Sequence, residues 1–134
     1  MTFAVPRLGL PRWAGPAMAL LVAAVVVGVV AAVDPGVPGR YPSCPLHALT
    51  GLQCPGCGTL RGLHALASGD PAGAVARNPL MVASLPFLAM AWLRWAWSSP
   101  MRISARMAWA VLAVVVGFGV ARNLPFPPFE LLRA

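Results

Sequence analysis

Three observations predict an all-α integral membrane protein with three transmembrane helices. Hydrophobic residues fill 59% of the 134 positions and charged ones only 10%, with a mean hydropathy of +0.76. A soluble domain carries roughly a quarter charged residues. Three apolar runs lie at about 16–33, 79–97 and 104–120, close to the roughly 20 helical residues that a hydrocarbon core about 30 Å thick requires. Pro, Gly, Trp and Arg border these runs, as expected where helices end at lipid headgroups. The chain therefore reads as one membrane domain over 1–134, with a Cys-rich interfacial segment at 44–78, carrying short helices, between the first and second spans.

Residues 1–15 form a tail that holds Arg7 and Arg12 and is broken by Pro6 and Pro11. The run that follows carries no charge up to Val33. It is longer than a signal-peptide core and lacks a small-x-small cleavage site before Asp34, so an uncleaved anchor is expected. Asp34-Pro35-Gly36 stops that helix, and the chain to Tyr41 is rich in turn formers and should be irregular. Cys44 to Leu49 suits one turn of helix, ended at Thr50-Gly51, and Cys54 to Gly58 is a tight turn. A short helix is expected from about Cys57 to Ser68. At about 100° per residue, Cys57, Arg61, His64 and Ser68 share one face and Leu60, Leu63, Leu66 and Ala67 the other. Such a two-sided helix suits the membrane surface, and Gly69 ends it.

Asp70-Pro71 reads as an N-cap followed by Pro at the first helical position, opening a helix to Arg77. Asn78-Pro79 repeats the device and opens the second span, which Pro86 should kink. Trp92, Trp95 and Trp97 around Arg94 form an interfacial belt. Residues 98–104 make a polar loop. The third span is short, and Gly117 and Gly119 allow close approach of a neighbouring helix. Arg122 to Pro125 ends that span, and the tail 126–134 resembles an interfacial anchor.

The net charge is +7, and all ten basic residues are Arg. No basic cluster interleaved with aromatics is present, so lipid headgroups rather than nucleic acid are the expected partners. Ala, Val, Pro and Arg in abundance, without Lys, point to a bacterial genome of high GC content. Three spans place Arg7, Arg12, Arg94, Arg102 and Arg106 on one side and Arg40, Arg61, Arg77, Arg122 and Arg133 on the other. The counts tie. The first side is shorter and so denser in Arg, which predicts the N-terminus inside and the Cys-rich segment outside the cytoplasm.

All three cysteines and both histidines lie between Cys44 and His64. Cys44, Cys54 and Cys57 offer soft donors, and His47 or His64 offers a fourth, so zinc is the metal this set suits. Cys-x-x-Cys beside a helix N-terminus equally suits thiol–disulfide chemistry, because a helix N-terminus lowers a thiol pKa. Cys57 is the thiol so placed, with Cys44 as a resolving thiol. A structural disulfide from Cys44 to Cys54 or Cys57 is the third reading. Arg61 is a candidate for an anion or a lipid headgroup, and Asp70 and Asn78 are read as helix caps. No paired carboxylates, nucleophile triad or phosphate-binding glycine loop appears, which leaves no catalytic residue to name and leans against an enzyme.

The series CPLHALTGLQCPGCGTLRGLHALASGD followed by NPL resembles DUF2752, a family of small bacterial multi-pass membrane proteins of uncharacterised function. Cys44, Pro45, Thr50, Gly51, Leu52, Cys54, Pro55, Cys57, Gly58, Arg61, Gly69, Asp70, Asn78 and Pro79 carry the resemblance. Where that family often has Thr just before the Arg, this chain has Leu60, with Thr59 one place earlier. The resemblance implies a multi-pass membrane protein and supplies no activity. The reading preferred on the residues is a thiolate metal site, with zinc, serving structure or assembly with another membrane protein. A membrane thiol redox protein and a non-catalytic scaffold are the alternatives.

Overall fold

A computed structural model describes residues 11–97 and 103–125. The tail 1–10, the loop residues 98–102 and the segment 126–134 lie outside it, and with them Arg7, Arg102, Arg133 and the interfacial anchor expected at the C-terminal end. Among the described residues every regular element is helical: α1 Ala14–Ala32, α2 Pro45–Thr50, α3 Thr59–Ala67, α4 Pro71–Arg77, α5 Pro79–Trp97 and α6 Ala105–Ala121.

Two of these, α1 and α5, are 19 residues long and apolar enough to cross a membrane, and α6 is a shorter apolar helix of 17 residues. Their side chains do not pack into an interior: Val22, Val25, Phe87, Leu88, Val111 and Val114 all point outward. Among the described residues, the fully or nearly buried hydrophobic ones are Val30, Ala65 and Ala74. An apolar surface of that kind suits contact with lipid or with a protein partner.

The first helix starts two residues before the expected Pro16, after Trp13. Pro16 is tolerated there because the first-turn N–H groups have no intrahelical partner anyway. The third helix starts two residues later than expected, because Gly58 stands at φ +82°. That left-handed conformation suits glycine and cannot belong to a right-handed helix. Cys57 therefore sits in the turn and not on the helix, and the helical-face argument does not reach it. The helix α2 begins at Pro45 with Cys44 as its N-cap, and Gly51 at φ +72° ends it. The last apolar helix begins after Ser104, whose Oγ accepts from the Met107 N–H at 3.3 Å.

The caps read from sequence are present. Asp70 Oδ1 accepts from the Gly73 N–H at 2.8 Å, and Asn78 Oδ1 accepts from the Met81 N–H at 3.0 Å. Two consecutive short helices thus lead straight into α5, which runs on through Pro86. Small residues let α3 settle on α4: a Cβ added at Gly62 would lie 3.3 Å from the Ala74 carbonyl oxygen and 2.7 Å from Met81 Cε.

Contacts at the two ends of α1 fix its direction relative to α5. Trp92 Nε1 donates to the Pro16 carbonyl at 3.0 Å, and Trp95 lies 2.9 Å from where a Gly15 Cβ would stand. The start of α1 therefore meets the far end of α5, and the two run antiparallel. At the other end of α1, His64 Nδ1 lies 2.8 Å from the Val30 carbonyl, and Tyr41 Oη donates to the Val33 carbonyl at 3.2 Å. The last carbonyls of a helix have no intrahelical donors, and His64 of the Cys-rich segment and Tyr41 just before it supply them. The end of α6 reaches the same region, where Pro55 Cδ lies 3.3 Å from a Cβ built on Gly119. Gly119 admits a turn rather than the neighbouring helix foreseen, and no atom lies within 4 Å of a Cβ on Gly117.

Candidate metal centre

The sequence Cys54-Pro55-Gly56-Cys57 closes on itself through a bond from the Cys57 N–H to the Cys54 carbonyl at 3.0 Å. A second turn overlaps it, with the Thr59 N–H bonded to the Gly56 carbonyl at 3.1 Å. Proline presets the first corner of such a turn, and Gly58 reverses the chain into α3. The pair of thiols is thereby held on one short arch. Cys44 Sγ lies 3.4 Å from Cys54 Sγ, and Cys54 Sγ lies 2.9 Å from Cys57 Sγ. All three sulfurs are half-buried and fall within 4.8 Å of one another. No disulfide joins them.

The arch hangs from three polar side chains that come from distant positions. Asn78, almost wholly buried, donates through Nδ2 to the carbonyls of Pro55 at 3.1 Å and Cys57 at 3.3 Å, and to Thr59 Oγ1 at 3.1 Å. Its Oδ1 meanwhile caps α5, so one amide both starts a helix and grips the turn. Arg122 is fully buried. It donates through Nη1 to the Cys57 carbonyl at 2.7 Å and through Nη2 to the Arg77 carbonyl at 3.3 Å, while its guanidinium lies over the Phe118 ring. Asn123 holds Gln53 on both sides, accepting from its N–H at 2.9 Å and donating to its carbonyl at 2.9 Å. Buried polar groups must be bonded, and here those bonds fix the geometry of the thiols.

The thiols differ in acidity. Cys44 is drawn down to about 7, first by the backbone N–H of His47 and then by Cys54. A helix N-terminus favours the anion, and Cys44 is the residue that stands at one. Cys57 is pushed up to about 12, first by burial and then by the neighbouring sulfurs. The expectation of an acidic Cys57 is therefore corrected. Its burial against the turn outweighs the proximity of α3, because desolvation penalises the charged form.

The histidines do not join the sulfurs in the group that falls within 4.8 Å. His64 is turned away: its Nδ1 faces the Val30 carbonyl, which can only accept, so that nitrogen carries the proton, and its Nε2 lies 4.0 Å from Asp34 Oδ1. The expected shared face of Cys57, Arg61 and His64 is thus divided. Cys57 and Arg61 line one cavity of about 550 Å³ together with Cys44, His47 and Tyr41, and His64 belongs to the junction with α1. A second, apolar groove of about 950 Å³ lies between α5 and α6 on the other side of the turn, and Gly56 and Thr59 line both spaces.

Sequence reasoning missed Arg122, Asn123 and Tyr41. Arg122 and Asn123 look like the ordinary polar stop of an apolar helix, and nothing local to them signals a partner some 65 positions away. Asn78 was found as a cap only; its donor side faces elements that sequence spacing cannot locate.

Residues 44–92 match the family described as "Protein of unknown function (DUF2752)", which confirms the resemblance over that stretch. The match takes in all three cysteines and Asn78 and ends within α5, so Arg122 and Asn123 lie outside it. Comparison with curated proteins and with solved structures finds no match.

Proposed function

We propose that this chain is a three-span membrane protein in which Cys44, Cys54 and Cys57 hold a zinc ion at the lipid–water boundary, in a structural or assembly role. The observation that carries the reading is the convergence of three sulfurs within 4.8 Å of one another. Zinc–thiolate bonds of about 2.3 Å place sulfur pairs about 3.8 Å apart around a tetrahedral ion; the separations of 2.9 and 3.4 Å fall short of that value by less than about 1 Å, so a small outward shift of the sulfurs would admit the ion. The metal would complete the fold of the segment between α1 and α5 and so stiffen a surface for another membrane protein. In this reading α1, α5 and α6 cross the bilayer, lipid is the first partner, and the thiol-bearing end faces away from the cytoplasm. The density of Arg12, Arg94 and Arg106 around the opposite end supports that orientation.

Elemental analysis of the full chain, purified in detergent under reducing, chelator-free conditions, tests the site. About one zinc per chain is expected, lost when all three cysteines become Ser. Chain that carries no metal defeats the proposal.

A second reading has its own observation, the acidic Cys44 beside two further thiols. In a thiol–disulfide exchange, the Cys44 thiolate would attack a substrate disulfide and release one substrate thiol. Cys54 would then displace the other, leaving a Cys44–Cys54 disulfide, so that two electrons and two protons pass to the substrate. Zinc-free chain that reduces a model disulfide only while Cys44 is intact would favour it.

A further inference from the structure

We infer that the three-sulfur centre, once it holds a divalent metal, takes its fourth ligand from outside the chain, and that this ligand is a small molecule bearing a monoanionic donor group. The inference rests on the metal reading above and specifies what it leaves undefined. A tetrahedral ion needs four donors. Among the described residues no fourth side-chain donor lies inside the sulfur cluster. His64 is engaged at the end of α1 through Val30 and Asp34. His47 stands in the cavity wall, outside the 4.8 Å group.

The cavity is of the right kind and size. Cys44 and Cys57 form part of its wall, and its volume of about 550 Å³ falls in the range that small-molecule sites occupy. Charge then selects the ligand. A divalent metal with three thiolates carries one negative charge. Arg122 is buried against the Cys57 carbonyl, and Arg61 stands in the cavity wall beside Cys44 and Cys57. Two guanidinium groups against one net negative charge leave room for one more anion. Arg122 bonds the turn from behind, whereas Arg61 can meet a ligand that enters the cavity, and guanidinium is suited to hold an anionic donor. Sites with three protein ligands and one external ligand bind and exchange small molecules; sites closed by four protein ligands do not.

Cobalt(II) reports on both levels of this argument. Loaded into the full chain in detergent, it should give a thiolate-to-metal charge-transfer band and the visible d–d bands of a tetrahedral ion. Added azide should shift the d–d bands saturably. Arg61→Ala should raise the azide half-saturation about tenfold while leaving the charge-transfer band unchanged, and His47→Ala should leave both as they are. If azide does not move the d–d bands, or if they collapse in His47→Ala, the chain supplies its own fourth donor and the inference is overturned. An azide response that is the same in Arg61→Ala removes Arg61 from the site. Absence of any charge-transfer band overturns the metal reading itself, an outcome distinct from the other two.

Discussion

The two ends of the long helices are held by different physics. At the thiol end, the buried Arg122 and Asn78, with Asn123, spend their polar atoms on the backbone of one turn, and His64 and Tyr41 supply donors to the end of α1. At the tryptophan end, one indole bond from Trp92 to the Pro16 carbonyl and one close contact of Trp95 with Gly15 join α1 to α5. Between them the helices show apolar side chains outward. In lipid such side chains gain nothing by leaving the bilayer for each other. Helix identity and helix arrangement are therefore separate problems here: hydropathy makes the helices, and a few hydrogen bonds, most of them at the thiol end, place them.

Substitutions at the two ends should expose the contrast. The largest effect is expected from Arg122→Met, which takes from the Arg77 carbonyl its Arg122 donor and leaves the Cys57 carbonyl only the longer bond from Asn78. A loss of about 3 kcal/mol is expected, since an orphaned buried acceptor keeps its full desolvation cost. Denaturant unfolding in detergent would measure it, and bound zinc should fall with it. A neutral outcome would mean that the turn stands without the last helix. Gly58→Ala should cost about 1–2 kcal/mol, because φ of +82° is unfavourable for any side chain, and the same unfolding measurement reads it.

Thiol chemistry offers a pH test in zinc-free, reduced chain. Residue-resolved alkylation should show Cys44 half-reactive at about pH 7 and Cys57 protected until about pH 12. The sign for stability follows for each. Cys44 ionises more easily folded than unfolded, so its contribution is present above its ordinary value of 9.0 and fades as pH falls through 7. Cys57 resists ionisation in the fold, so the fold loses stability as pH rises from 9.0 to about 12, where only the unfolded chain ionises. Stability should therefore rise between pH 7 and 9 and decline above it. The smallest effect belongs to the other end: Trp92→Phe removes one bond to a carbonyl near the start of α1 and should cost about 0.5–1 kcal/mol. A loss there as large as that of Arg122→Met would erase the distinction between the ends.

Much of this architecture is legible in the sequence, because each helix boundary is written locally. Asp70-Pro71 and Asn78-Pro79 mark the starts of α4 and α5 to the residue, Gly51 ends α2 as expected, and Gly69 follows α3 with the left-handed backbone expected of it. The convergence of thiols is half legible: Cys54 and Cys57 share a turn by spacing alone, while Cys44 meets them through tertiary folding. His64 shows why spacing has limits. Its periodic position points to the thiols, yet the open carbonyls at the end of α1 attract it more strongly, and nothing at position 64 announces their proximity. Cys57 fails for a related reason. Its rank beside a helix suggested an acidic thiol, but depth in the turn governs its proton, and depth is a property of the folded chain.

Arg122 and Asn123 have a consequence for how the molecule comes into being. Synthesis proceeds from the N-terminus, so the cysteine hairpin is made some 65 residues before the pair that clamps it. Until α6 is in place, the carbonyls of Gln53 and Cys57 lack those donors, and the arch is held by its own turn bonds and by Asn78. A ribosome-bound chain would thus carry a half-clamped sulfhydryl arch through the interval in which the last apolar helix is laid down, and a chain truncated before residue 122 would keep only the Asn78 side of that clamp.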